Sequence, residues 1–92
     1  MATLTNYDAA ELIAALINTP VLNDARDNAT GIADYLDRAS DRVGALSTGE
    51  RALLDVAVGV LAGTVNLERL RRCDAPTATA AMGILTRWIV GN

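Results

Sequence analysis

The stretch Ser47–Gly63, STGERALLDVAVGVLAG, decides the fold. Ser47 followed three residues later by Glu50 is a capping box. The Ser47 hydroxyl can accept from the Glu50 backbone N–H, and the Glu50 carboxylate can reach back to the Ser47 N–H. Beyond the box, Leu53, Leu54, Val56, Ala57, Val58, Val60, Leu61 and Ala62 point all around the helix barrel. Only Arg51 and Asp55 interrupt that surface, and four residues apart they can pair. A helix that is apolar on every side belongs in the middle of a bundle or in a membrane. The longest uncharged run, Val56 to Val65, falls far short of the roughly 20 residues that a spanning helix needs. The stretch is therefore expected to form the buried central helix, about 48–63, of a small all-α bundle of four to five helices.

Towards the N-terminus, Leu22, Ala25, Ala29, Ile32, Leu36, Ala39, Val43 and Leu46 recur at alternating steps of three and four. This is a heptad a/d pattern, and Asp24, Asp27, Asp34, Asp37, Arg38 and Asp41 all fall on its solvent side. Thr19 as N-cap and Pro20 at the first helical position mark a start. The spacing predicts one long helix over 20–45, about 38 Å at the standard rise. Its weak point is Asn28–Gly31, since glycine costs about 1 kcal/mol against alanine. A helix of that length outruns its short neighbours. Its far end, through Leu22, Ala25, Ala29 and Ile32, is the expected contact with a host protein or with a second copy in a homodimer. Ahead of it, Thr5 or Asn6 caps a first helix over about 7–18, with Asp8 and Glu11 in the first turn. Ala9, Leu12, Ile13, Leu16 and Ile17 make its apolar face.

On the other side, Gly59 and Gly63 lie one turn apart. They leave a shallow groove for a neighbouring helix, or Gly63 terminates the helix. Val65–Arg72 suits a short helix capped by Asn66, with Leu67 and Leu70 inward and Arg69, Arg71 and Arg72 outward. Asp74 or Ala75 caps a last helix ending at Gly91, with Ala78, Ala81, Met82, Leu85, Trp88 and Ile89 as its apolar stripe. Residues 65–90 thus have the outline of a helix-turn-helix. A small DNA-binding regulator is the alternative function, with Arg69, Arg71, Arg72 and Arg87 on phosphates.

All eight basic residues are arginine, and the absence of lysine and phenylalanine with abundant Ala, Gly, Val and Arg is the usage of a GC-rich genome; the chain also has no histidine. The missing histidine and lysine remove the commonest general bases, Schiff-base chemistry and most transition-metal sites. No catalytic residue, cofactor or metal ligand is assigned, and the chain is expected not to be an enzyme. Asp34, Asp37 and Asp41 share a helical face, but Arg38 lies between them, which favours ion pairs over a cation site. The single Cys73 cannot form an internal disulfide, which fits a reducing compartment. Arg71 and Arg72 beside it would depress its thiol, yet without histidine no Cys–His nucleophile can be built. It is read as a boundary residue.

The first residues lack the basic region of a secretory signal, so a cytoplasmic location is expected. The net charge of −3 argues against a general attraction to nucleic acid or an anionic membrane. That charge is uneven. Up to residue 46 seven carboxylates face three arginines, and after it five arginines face four carboxylates.

Leu46–Glu50, LSTGE, resembles the signature loop of ABC-type ATPases, which implies contact with a nucleotide on a P-loop. A P-loop needs a lysine, this chain has none, and the capping box accounts for the same five residues. Residues 46–91, through LSTGERALLDVAVGVLAG, VNLERLRRCD and ATAAMGILTRWIVG, look like a pattern in small open reading frames of actinobacteria and their phages. That resemblance implies a phage or mobile-element accessory protein and brings no activity or site residues. The combined expectation is a single helical domain over 1–92. Its expected function is that of a non-enzymatic protein–protein interaction module.

Overall fold

Closed caps and glycine stops divide the chain into helices. The computed structural model describes residues 4–91, among which there is no strand. The α-helices are α1 (Asn6–Ala14), α2 (Asn23–Asn28), α3 (Ile32–Ser40), α4 (Thr48–Leu61) and α5 (Ala75–Val90). Short 3₁₀ segments stand at Pro20–Leu22, Val43–Ala45 and Leu67–Arg72. The fold is all-α.

At the start of α4 the capping box closes in both directions. The Glu50 N–H donates to Ser47 Oγ at 3.2 Å, and the Ser47 N–H donates to Glu50 Oε1 at 2.8 Å. Thr5 and Asp8 form a second box at the start of α1, at 3.0 and 3.4 Å. Gly63, at φ +89°, terminates α4, because a left-handed residue there costs glycine nothing. Gly59 serves the same turn. The chain folds back so that the Thr64 N–H donates to the Gly59 carbonyl at 2.8 Å. A Cβ on Gly59 would stand 3.2 Å from the Thr64 carbonyl oxygen. The close approach at Gly59 therefore comes from the chain's own turn and not from a neighbouring helix. Gly91, in the left-handed region, ends α5.

Helix α4 sits at the centre, with Ala52, Leu53, Leu54, Val56, Ala57 and Val60 buried. Its burial is not complete all round, since Val58 is exposed. Helix α1 runs antiparallel to it. The Asn6 side chain lies beside Gly63 at one end, and Leu16 and Asn18 lie beside Ser47 and Gly49 at the other. Helix α5 is tied to α1 by the Trp88 Nε1–H, which donates to Asn6 Oδ1 at 2.9 Å. The buried face of α1 is Ala9, Ala10, Ile13 and Ala14, continued by Ile17. Leu12, expected inward, is exposed.

The long helix expected over 20–45 is not formed. Its length of about 38 Å would exceed the 35 Å longest dimension of the folded chain. The chain breaks where polar side chains take over backbone partners. The Asn28 amide donates to the Asp24 carbonyl at 2.8 Å and closes the end of α2. The Thr30 N–H donates to Asp34 Oδ2 at 3.0 Å and opens α3. Ala29 between them is extended. The apolar spacing nevertheless marks the inner face, since Leu22, Ala25, Ile32, Leu36, Ala39 and Leu46 are all buried.

The expected Arg51–Asp55 pair is also replaced. The Arg51 guanidinium turns back over the preceding 3₁₀ turn. Its Nε–H is shared between the Val43 and Leu46 carbonyls at 3.0 and 3.1 Å, and Nη2 reaches the Gly44 carbonyl at 3.4 Å. Asp55 pairs instead with Arg69 at 3.6 Å.

Candidate interaction surfaces

The residues expected to form an exposed partner face lie in the wrong place for that role. Leu22 and Ala25 are buried, Ile32 is buried at the start of α3, and Ala29 is half-buried against the same core. Folding back at Asn28–Gly31 turns the heptad stripe onto α1 and α4, so it becomes core. Replacing Leu22 or Ile32 would cost stability through lost burial, so it would not test association alone.

Arg69, Arg71 and Arg72 are exposed along Leu67–Arg72, and with Asn66 and Glu68 they line a hollow of about 370 Å³. Asn66 caps this segment as expected, its Oδ1 accepting from the Glu68 N–H at 3.2 Å. Leu70 turns inward, but Leu67, expected inward, is 47% exposed. With three residues per turn, Leu67 and Leu70 stack on one edge, and only the latter reaches the core. Arg87 lies exposed on α5, well along the chain from the other three. The six-residue 3₁₀ segment is not the first α-helix of a helix-turn-helix. The exposed N-terminal positions of α5 are Ala75, Pro76, Thr79 and Ala80, which offer a base edge one hydroxyl.

The apolar stripe of α5 divides into a covered and an uncovered part. Ala81 and Leu85 are buried, with Ala78 and Trp88 packed beside them. Met82 is 42% exposed, Ile89 63% and Val90 69%. Met82, Thr86 and Ile89 follow one another at i, i+4 and i+7, one face of the helix. The Thr86 hydroxyl donates to the Met82 carbonyl at 2.8 Å, so its hydrogen bond is spent on the backbone. The 16 residues of α5 carry a single charge, Arg87. The sequence pattern holds these residues but assigns Met82 and Ile89 to the inner face. A stripe of six positions is wider than the neighbours of α5 can cover.

The acidic residues are tied locally. Asp34 accepts from the Thr30 N–H and from Arg38 Nε at 3.0 Å, and these two contacts hold its carboxyl below the usual carboxylate range. Asp24 meets Arg42 at 3.5 Å. Among the described residues no three His, Cys, Asp or Glu side chains gather as a metal site. Cys73 is half-buried, its thiol 3.6 Å from the Gly49 carbonyl. Burial, and then the Asp74 carboxylate, push that thiol up and not down, so the neighbouring arginines do not activate it.

No family model, curated protein or solved structure matches this chain. Among the described residues no helix is long and apolar enough to cross a membrane.

Proposed function

We propose that this chain is a small non-enzymatic protein–protein interaction module that binds a host protein or another copy of itself. The observation that carries the reading is the outer face of α5. Met82, Thr86, Ile89 and Val90 form an uncharged strip on a helix that contributes only Ala81 and Leu85 to the buried core. Isolated exposed apolar residues are ordinary, but a contiguous strip of them on one helix is the usual mark of a contact surface. The lack of histidine and lysine supports the non-enzymatic part. The resemblance of residues 46–91 to actinobacterial and phage reading frames supports a phage or mobile-element accessory role.

The duplex-binding alternative draws its support from Arg69, Arg71 and Arg72 on one edge. It has less behind it, because the helix that would enter a groove presents no basic residue until Arg87.

The test is capture of partners by the tagged chain and by a Met82→Asp/Ile89→Asp double variant. Both positions are exposed, so the variant should keep its helical circular dichroism. A stoichiometric partner held by the wild type and lost by the variant is the expected result. A partner held equally by both would sink the assignment of this face. Retention on duplex DNA at low salt, abolished when Arg69, Arg71 and Arg72 are replaced, would favour the alternative.

A further inference from the structure

The break between α2 and α3 is made at the surface. Asn28, Thr30 and Gly31 are exposed, and Ala29 is half-buried. Its two shaping bonds, from the Asn28 amide to the Asp24 carbonyl and from the Thr30 N–H to the Asp34 carboxylate, are both open to solvent. No conformation there is reserved for glycine. Ala29 is extended at φ −73° and ψ 142°, and Gly31 at φ 162° is extended backbone that any residue adopts. A Cβ on Gly31 would meet nothing within 4 Å. The stops at Gly63 and Gly91 are different, since both are left-handed. A straight helix through the break would also satisfy the backbone, because the N–H groups of Ala29, Thr30 and Gly31 would find the carbonyls four residues back.

The apolar register passes through the break without a slip. Ala25, Ala29, Ile32, Leu36 and Ala39 keep alternating steps of four and three. Straightening would therefore join α2 and α3 into one helix of about 27 Å with those residues still on one face. One copy cannot straighten and keep its core. Helix α1 packs chiefly on α4, and the fold-back at the break is what brings it there. Moved out along the α3 axis, α1 would expose Ala9, Ala10, Ile13 and Ala14, all of them buried. The surface shaped to receive that face is the α4 of a second copy that has opened in the same way. We infer that Ala29–Gly31 is a hinge through which two copies exchange α1 and α2. In the exchanged dimer, α1 and α2 of each chain pack on α3, α4 and α5 of the other, through the contacts of the single chain. The exchange is reciprocal, so it closes as a two-fold dimer and leaves no open end. A short hinge favours such exchange. This deepens the self-association half of the interaction-module reading and does not use the outer face of α5.

The test is to hold the concentrated full chain in urea near its unfolding midpoint, remove the urea, and follow its size by sedimentation velocity. A dimer should appear. It should persist on dilution and take up a tagged copy only when urea is restored, because release requires α1 to leave α4 and is governed by the unfolding barrier. Gly31→Ala keeps the break unstrained and raises helix propensity, and Asp34→Ala removes the acceptor of the Thr30 N–H. Both hinges of the dimer gain, so each substitution should raise the dimer-to-monomer ratio by about tenfold or more. Ala29→Pro should lower the ratio at least as far. The φ at position 29 suits proline, whereas a straight helix would lose a hydrogen bond and meet the ring. Met82→Asp/Ile89→Asp should dimerise like the wild type. A chain that stays monomeric after urea, a dimer that dissociates on dilution, or hinge variants that match the wild type would overturn the exchange. A dimer abolished by Met82→Asp/Ile89→Asp and indifferent to Gly31→Ala would overturn the hinge alone and leave the α5 reading standing.

Discussion

Helix α4 and the segment 20–45 carry the same kind of apolar spacing and fold differently. Helix α4 runs unbroken for 14 residues between a closed capping box and a left-handed glycine. The other segment yields two helices of 6 and 9 residues and two 3₁₀ turns. Interior composition makes the difference. Between Glu50 and Gly63 only Arg51 and Asp55 are polar, and both reach outside the helix for partners. The segment 20–45 holds Asn28, Thr30 and Asp34 close together, and each bonds to nearby backbone or to its neighbour. Apolar periodicity says which side of a segment faces inward. Whether the segment is one helix depends on whether its polar side chains compete for the backbone.

The largest effects should therefore be alike in the two regions, because both inner faces are buried. Leu54→Ala in α4 and Leu22→Ala ahead of α2 remove nearly or fully buried side chains, and each should cost about 2–5 kcal/mol. Urea unfolding measures both. A Leu22→Ala cost below about 0.5 kcal/mol, the level of an ordinary surface substitution, would return that residue to the surface and break the comparison.

The next effect is specific to α4. Ser47→Ala removes one half of the box and should cost about 1 kcal/mol, read as a lowered denaturant midpoint with unchanged slope. A neutral result would mean that burial alone sets where α4 begins.

That box was readable from two residues three apart, as were the Asn66 cap, the stop at Gly91 and, as one of two candidates beside Asn6, the Thr5 cap, because capping is short-range chemistry between named side chains and nearby backbone. The inward residues of 20–45 were readable too. What could not be read is long-range. Spacing alone suggests an Arg51–Asp55 pair, which the fold does not make. The choice of the Val43, Gly44 and Leu46 carbonyls by Arg51 exists only once the preceding turn is in place. The α5 stripe shows the same limit for the candidate site. Met82 and Ile89 carry the signal of an inner face, and only the number of helices available to cover them leaves them outside.

A smaller effect should have the opposite sign. Tyr35→Phe removes the buried unpartnered hydroxyl of α3 while keeping the ring. Leaving such a group unpaired costs about 1–3 kcal/mol, and part of that should return, so the variant should be as stable as the wild type or more so. A clear destabilisation would mean that a water or a bound group satisfies the hydroxyl in solution. The inner face of α3 would then be polar where that of α4 is dry.

The smallest effect separates the two kinds of helix start. Helix α4 opens on a hydroxyl and carboxylate box, whereas α3 opens on Asp34, whose carboxyl is held low first by the Thr30 N–H and then by Arg38. A carboxyl that is more acidic folded than unfolded binds fewer protons in the native state. Its contribution is complete above the ordinary carboxylate pKa of about 3.9 and is lost as pH falls through the lower folded value. Thermal unfolding from about pH 5 down to about pH 2 should show a falling Tm in the wild type and a shallower fall in Asp34→Asn. The amide side chain keeps an acceptor for Thr30 but offers Arg38 no charge. Asp34 and Arg38 are open enough to solvent for salt to screen the pair, so the difference between the two profiles should shrink at high ionic strength. Profiles that coincide at low salt would mean that the Asn28–Gly31 break, and not the Asp34 carboxylate, sets the start of α3.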